Sequence, residues 1–215
     1  TGSISNIGHI GYSEGLHKLQ FGIGYSNQVR TSTREFVPRW GYTLNVDYAL
    51  NPSNGSFSDL ISLFGRFYLP GITRPHSLMV ALNYQTSIGG FHTPDGQAML
   101  TYKSTRLLPH SYSSSSIRSD RYFAASINYQ LPIWYPEGGI TSVIYFKRIR
   151  LNVGFDYAHY RLGNDWMRLN AYGGDLLLDM NIFRQPDSAT STLKISVYKP
   201  RHGSVWVGAG IGLPF

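Results

Sequence analysis

The stretch RIRLNVGFDY, Arg148 to Tyr157, alternates along almost its whole length. Ile149, Leu151, Val153, Phe155 and Tyr157 fall on one parity, and Arg148, Arg150, Asn152 and Asp156 on the other. Successive side chains of a β-strand point to opposite faces, so the stretch predicts a strand with one oily and one charged side. Eight residue steps at about 3.3 Å, tilted by about 40°, rise on the order of 20 Å, near the roughly 25 Å apolar band of a membrane barrel. Period alone leaves the sides open. A soluble barrel such as a lipocalin turns its apolar set inward, whereas a membrane barrel turns it outward. Lys147 breaks the pattern from the apolar parity. There a charge is cheap only at the membrane edge, where the expectation places it.

Ten segments of the chain carry this period of two. In WGYTLNVDYAL, Trp40, Tyr42, Leu44, Val46, Tyr48 and Leu50 oppose Gly41, Thr43, Asn45, Asp47 and Ala49. The remaining segments are Ile4 to Tyr12, Leu19 to Ser26, Leu60 to Leu69, Ser77 to Gln85, Tyr122 to Leu131, Ser142 to Tyr160, Asn170 to Phe183, Ser191 to Lys199 and Gly203 to Phe215. Clusters of Gly, Pro, Asn, Asp or Ser separate most of them, as turns require. No helical period, repeat or internal domain boundary is visible, so residues 1–215 read as one unit. Charges on the polar sets, aromatics at strand ends and an aromatic last residue favour lipid outside and water within.

Composition agrees. Only 14% of residues are charged, against about 25% in soluble domains. Aromatics are also 14%, with 16 tyrosines. No run approaches the roughly 18 apolar residues of a spanning helix, and the mean hydropathy is -0.19. Cysteine is absent, which excludes disulfides and thiolate metal sites. The net charge of +7 is scattered over strands and turns, with no nucleic-acid signature. The chain opens on Thr1 with no signal-peptide pattern, which reads as a mature or partial chain.

With the last strand descending to a periplasmic C-terminus, the longest connection, Gly89 to Asp120, falls on the outer side, where barrels keep long loops. The opposite connections all contain proline. None of the seven histidines sits in a nucleophile motif, so no catalytic residue is assigned. Asp175 and Asp179 share a parity without a nearby histidine, a pattern of lumen charges paired with arginine rather than of a metal site.

The stretch SDRYFAASINYQLPIWYPEGGITSVIYFKRIRLNVGFDYA, with the long loop and the terminal run, resembles the C-terminal half of the barrel of BamA/TamA-type outer-membrane assembly proteins, closest to versions from the Bacteroidota. The resemblance covers nearly the whole chain. It implies an all-β transmembrane antiparallel barrel, here the last ten strands of sixteen, with the loop 89–120 folded back into the lumen. In the family an Arg-Gly-Tyr/Phe loop tip meets an Asp in a D-x-G strand motif. The matching positions here are His110, Ser111 and Tyr112 in RLLPHSY and Asp156 in GFDYA. Histidine cannot form the bidentate pair of an arginine, so Arg148, Arg150, Arg106 and Arg118 become candidate substitutes.

The terminal run resembles the family's strand signal and weak seam. Val207, Ala209, Ile211, Leu213 and Phe215 form its apolar side, and Gly208, Gly210 and Gly212 its thin side. The implied function is insertion, assembly or translocation of outer-membrane proteins at the bacterial outer membrane. The implied partners are membrane lipid, unfolded client barrels and accessory lipoproteins or periplasmic domains, with no cofactor, no metal and no enzymatic role. Two alternatives stand beside it: a structural or accessory barrel without insertase activity, and a small closed ten-stranded channel.

Overall fold

Each of the ten alternating segments becomes a strand in the computed structural model, which describes residues 2–13, 16–29, 37–50, 59–88, 107–112, 119, 121–140, 143–162, 165–182 and 190–212. The strands are β1 (Gly2–Ser13), β2 (Leu16–Gln28), β3 (Gly41–Leu50), β4 (Asp59–Pro70), β5 (Ser77–Ile88), β6 (Arg121–Trp134), β7 (Gly138–Ile140), β8 (Ile144–Leu162), β9 (Asp165–Ile182), β10 (Ser191–Pro200) and β11 (Trp206–Gly212). All belong to one antiparallel sheet in which chain neighbours are sheet neighbours; the three-residue β7 only adds to β8 beside β6. No helix occurs among the described residues, and none could cross a membrane. The sheet is open, with β1 and β11 as its edges.

The register keeps like with like. Asn152 of β8 stands beside Gln130 of β6 and Asp175 of β9, which stands beside Ser196 of β10. Val153 stands beside Tyr129 and Gly174 on the other face. Burial follows the faces in an unusual sense. Asn152 and Asp156 are 6% and 3% exposed, whereas Val153 and Phe155 are 49% and 44% exposed. The same holds for buried Ser62, Asn83, Ser126 and Ser196 against exposed Val46, Leu63, Ile127 and Ile195. The sheet thus covers its polar face and bares its apolar one.

At one end of the polar face lies an apolar cluster of Ala49, Leu60, Tyr122, Ala124, Ala158 and Tyr160, onto which Leu107 and Leu108 pack from the long connection. Burying such side chains is what brings that connection back to the sheet, each contributing up to about 1.5–3 kcal/mol when fully covered.

Two local departures from the sequence reading have physical causes. Lys147 is the extra residue of a β-bulge between Phe146 and Arg148. The bulge shifts the parity of β8, so Ile144 and Phe146 rejoin the apolar side of Ile149 and Leu151. Lys147 Nζ donates to Thr190 Oγ1 at 3.1 Å. Second, β9 starts at Asp165 rather than Asn170, because Leu162 pairs with Asp165 and only two residues connect the strands. Hairpin closure carries Asp165 to Leu169 into the ladder although DWMRL lacks alternation.

Candidate functional site

The loop tip that meets the sheet begins with an anchored backbone. Tyr122 of β6 donates its hydroxyl to the Leu107 carbonyl at 2.9 Å. Buried Pro109 then opens a turn closed by Tyr112 N–H donating to the Pro109 carbonyl at 3.2 Å. Ser111 has φ 75° while His110 does not enter positive φ, which makes this a type II turn with serine at the position that favours glycine. Exchanging Ser111 for glycine relieves a left-handed cost of about 1–2 kcal/mol and adds chain entropy worth about 0.4–1 kcal/mol to the unfolded state. Ser111→Gly is therefore expected to raise stability by about 0.5–1 kcal/mol, read as a higher urea midpoint with unchanged slope. A lower midpoint would show that the serine side chain holds the turn.

The turn aims His110 at Asp156. Its backbone N–H donates to Asp156 Oδ2 at 3.1 Å, and its Nδ1 lies 2.5 Å from the same oxygen. Ser126 of β6 donates to Oδ1 at 2.6 Å. The carboxylate thus gathers three hydrogen bonds while nearly fully buried, the arrangement a charge needs away from water. Tyr112 adds a longer hydroxyl contact to the Asn170 carbonyl at 3.4 Å.

The network continues across the sheet. Asn128 Nδ2 donates to Ser126 Oγ at 2.7 Å, and Asn152 Nδ2 donates to Asn128 Oδ1 at 3.0 Å and to Asp175 Oδ2 at 2.8 Å. Tyr198 of β10 donates to Asp175 Oδ2 at 3.1 Å. Its ring, fully buried, stacks on the His110 imidazole at 3.8 Å and 4°. The circuit from His110 through Asp156 to Asp175 and Tyr198 therefore closes on itself.

Two glycines make room for that ring. A Cβ at Gly154 would stand 2.7 Å from Asn128 Oδ1 and 3.4 Å from the Tyr198 hydroxyl, and one at Gly173 would stand 2.9 Å from Tyr198 Cδ1. Trp206 of β11 extends the aromatic group, 6.4 Å from Tyr198 and 6.5 Å from His110. Its indole lies over Gly208, where a Cβ would fall 2.7 Å from Cζ2.

Arg148 and Arg150 sit elsewhere. Asp179 accepts from Arg148 Nε at 2.6 Å, from Arg150 Nε and Nη2 at 3.0 and 3.1 Å, and from Thr192 at 2.8 Å. Arg150 lies six residues before Asp156 on β8, on the order of 20 Å along the strand, so these arginines serve a second cluster. Arg106 and Arg118 lie outside the described residues. In the terminal strand, Val207, Ala209 and Ile211 lie exposed on the apolar face. A Cβ at Gly210 would meet nothing within 4 Å. Leu213 and Phe215 lie outside the described residues.

The constellation does not resemble a hydrolase triad, since Ser126 and His110 both bond to the carboxylate and the serine hydroxyl bonds to the acid, not to the imidazole. No group of three metal-ligating side chains occurs among the described residues. Tyr198, Ser126, Gly154 and Gly173 join the site with no local motif to mark them. The only available signal was that bare glycines on the polar parity of β8 and β9 stand in register with a tyrosine, and register is invisible before pairing is known. No protein-family model, curated protein or solved structure matches the chain.

Proposed function

We propose that the chain is part of an outer-membrane β-barrel of the BamA/TamA type that assists insertion, assembly or translocation of other outer-membrane proteins. The observation that carries the membrane half of this reading is the reversed burial on β8, with Phe155 and Val153 bare and Asp156 and Asn152 covered. In water such a face would be a large exposed apolar patch, whereas in hydrocarbon it is the favourable side. Ten antiparallel strands in one open sheet, with the polar side covered, are what part of a barrel wall would supply. The unpaired edges β1 and β11 are where further strands would add.

The assembly half is supported by the thin edge and by the docked loop. β11 offers one backbone edge without a partner strand among the described residues and two exposed glycines on its polar side, suited to taking an added strand. Trp206 joins that strand to the Tyr198–His110 stack, so displacement of β11 by a client strand is felt at the loop. The accessory-barrel reading is favoured by one observation, the histidine at the place of the family's arginine. A closed ten-stranded channel finds no support in an open sheet.

The test is reconstitution of the full-length protein into liposomes with an unfolded client barrel. Faster client folding than in empty liposomes is expected. Stable insertion without acceleration would leave the accessory role, and failure to insert would sink the membrane reading.

A further inference from the structure

The apolar face ends in charge. Past Tyr157 on β8, the parity of Val153 and Phe155 continues as His159 and Arg161. The register carries the change across three strands. His159 stands between Phe123 of β6 and Arg168 of β9. Arg161 stands beside Trp166 of β9, and Arg121 of β6 lies one step beyond the Tyr122–Tyr160 pair, level with Arg161. Ring contacts bear out the shared face: the His159 imidazole lies 4.4 Å from the Trp166 ring and 6.4 Å from that of Tyr157. Neighbouring strands are about 4.8 Å apart and alternate residues of one strand about 6.8 Å, so the three arginines spring from within about 12 Å of one another.

The charge on this patch has one sign. Arg121, Arg168 and Trp166 are exposed, whereas His159 is half-buried with its Nε2 covered and without a hydrogen-bond partner. Among the described residues no carboxylate lies on this face of β6, β8 or β9. Asp156 and Asp165 have the opposite parity, and Asp120 lies outside the described residues. Asp59 is on β4, two strands from β6, where it accepts from the Tyr48 hydroxyl at 2.5 Å. The patch lies where β6 leaves the long connection, at the end of the sheet read above as outer. Arginines among aromatic rings, set above the bare band of Val153 and Phe155, match an amphiphile with phosphates at its head and hydrocarbon below.

We propose that this patch binds the phosphorylated glycolipid of an outer leaflet, lipopolysaccharide, its lipid A phosphates held by Arg121, Arg161 and Arg168 and its acyl chains lying on the apolar face beside Phe155. The proposal rests on the membrane reading above and adds to it a defined lipid partner at one place on the wall. Guanidinium forks pair bidentately with phosphate oxygens, and a phosphate beside Arg168 would also offer His159 Nε2 a partner. Three arginines in register suit a head with more than one phosphate, whereas a lipid with a single phosphate would leave part of their charge uncompensated.

The full-length protein in dodecyl maltoside micelles is titrated with lipid A carrying both phosphates and with the same lipid A stripped of them, and bound glycolipid is counted by native mass spectrometry. The phosphorylated form is expected to bind at least about twentyfold more tightly, since each basic side chain facing an anionic head contributes about fivefold. Arg168→Gln is expected to cut that preference about fivefold, and Arg121→Gln/Arg168→Gln about twentyfold. Arg74→Gln, which removes an exposed arginine at the opposite end of the sheet, is expected to leave it unchanged. Equal binding of the two forms overturns the site. So does a preference that survives the double substitution, or one that falls as far in Arg74→Gln, which would mark attraction to the net charge of +7 alone. Insertion into phosphatidylcholine liposomes tests the membrane reading separately and needs no glycolipid, so the site can fail while that reading stands.

Discussion

Replacing Asp156 by alanine is expected to cost about 3–5 kcal/mol and to release the loop tip from the sheet. The substitution removes the acceptor of the His110 N–H, His110 Nδ1 and Ser126 hydroxyl at once. A buried donor left without a partner, as the Ser126 hydroxyl would be, costs roughly 1–3 kcal/mol, and the half-exposed His110 side chain, which can turn to water, costs less. The apolar anchors Leu107 and Leu108 remain on their cluster. The loop is therefore expected to loosen at the turn while staying tethered. Asp156→Asn should lose about half as much, because an amide keeps one acceptor oxygen. Urea unfolding of the reconstituted protein measures the cost, and limited proteolysis around residues 107–112 measures the release. Equal stability and protection in Asp156→Ala would mean that the loop is held by Leu107 and Leu108 alone.

The strands and their faces were legible in the sequence because alternation needs no partner to be seen. Every segment with a clean period of two became a strand, and the parity of Phe155 against Asp156 separated the two faces, while which of them is covered did not follow from period alone. The misplaced start of β9 shows the limit of that signal. Pairing with β8 drew in Asp165 to Leu169 without alternation. Lys147 is instructive in the other direction, since an apparent violation of the pattern marked the bulge that restores it.

At the site, a meeting of His110 with Asp156 is what the resemblance implies, with Arg148 and Arg150 as the alternative partners of that carboxylate. Strand geometry decides against that alternative: both lie on Asp179, several residues along β8 from Asp156. The Tyr198 circuit was out of reach, since its members come from β6, β8, β9, β10 and the loop and share no local spacing.

That circuit makes the second large prediction, in which intrinsic preference and packing disagree. Valine is a better strand residue than glycine by up to about 1 kcal/mol, so propensity alone predicts that Gly154→Val stabilises the sheet. Packing predicts the reverse. The new Cβ would sit 2.7 Å from Asn128 Oδ1, the acceptor that Asn152 uses, and 3.4 Å from the Tyr198 hydroxyl. Tyr198 cannot retreat, because Gly173 lies beneath its ring, Asp175 holds its hydroxyl and His110 stacks on it. Overpacking costs about 1–3 kcal/mol and a broken buried hydrogen bond about another 1–3 kcal/mol, which together exceed the propensity gain. Gly154→Val is expected to lose about 2–5 kcal/mol and to undock His110 as Tyr198 shifts. Gly210→Val is the matched control, because it also adds a valine to a polar-side glycine, with nothing within 4 Å of the new Cβ. It should leave stability unchanged or raise it by up to about 1 kcal/mol, the propensity gain with no clash against it. If the two variants unfold at the same urea concentration, the glycines of β8 and β9 are not clearing space for Tyr198, and the closed circuit does not hold the loop.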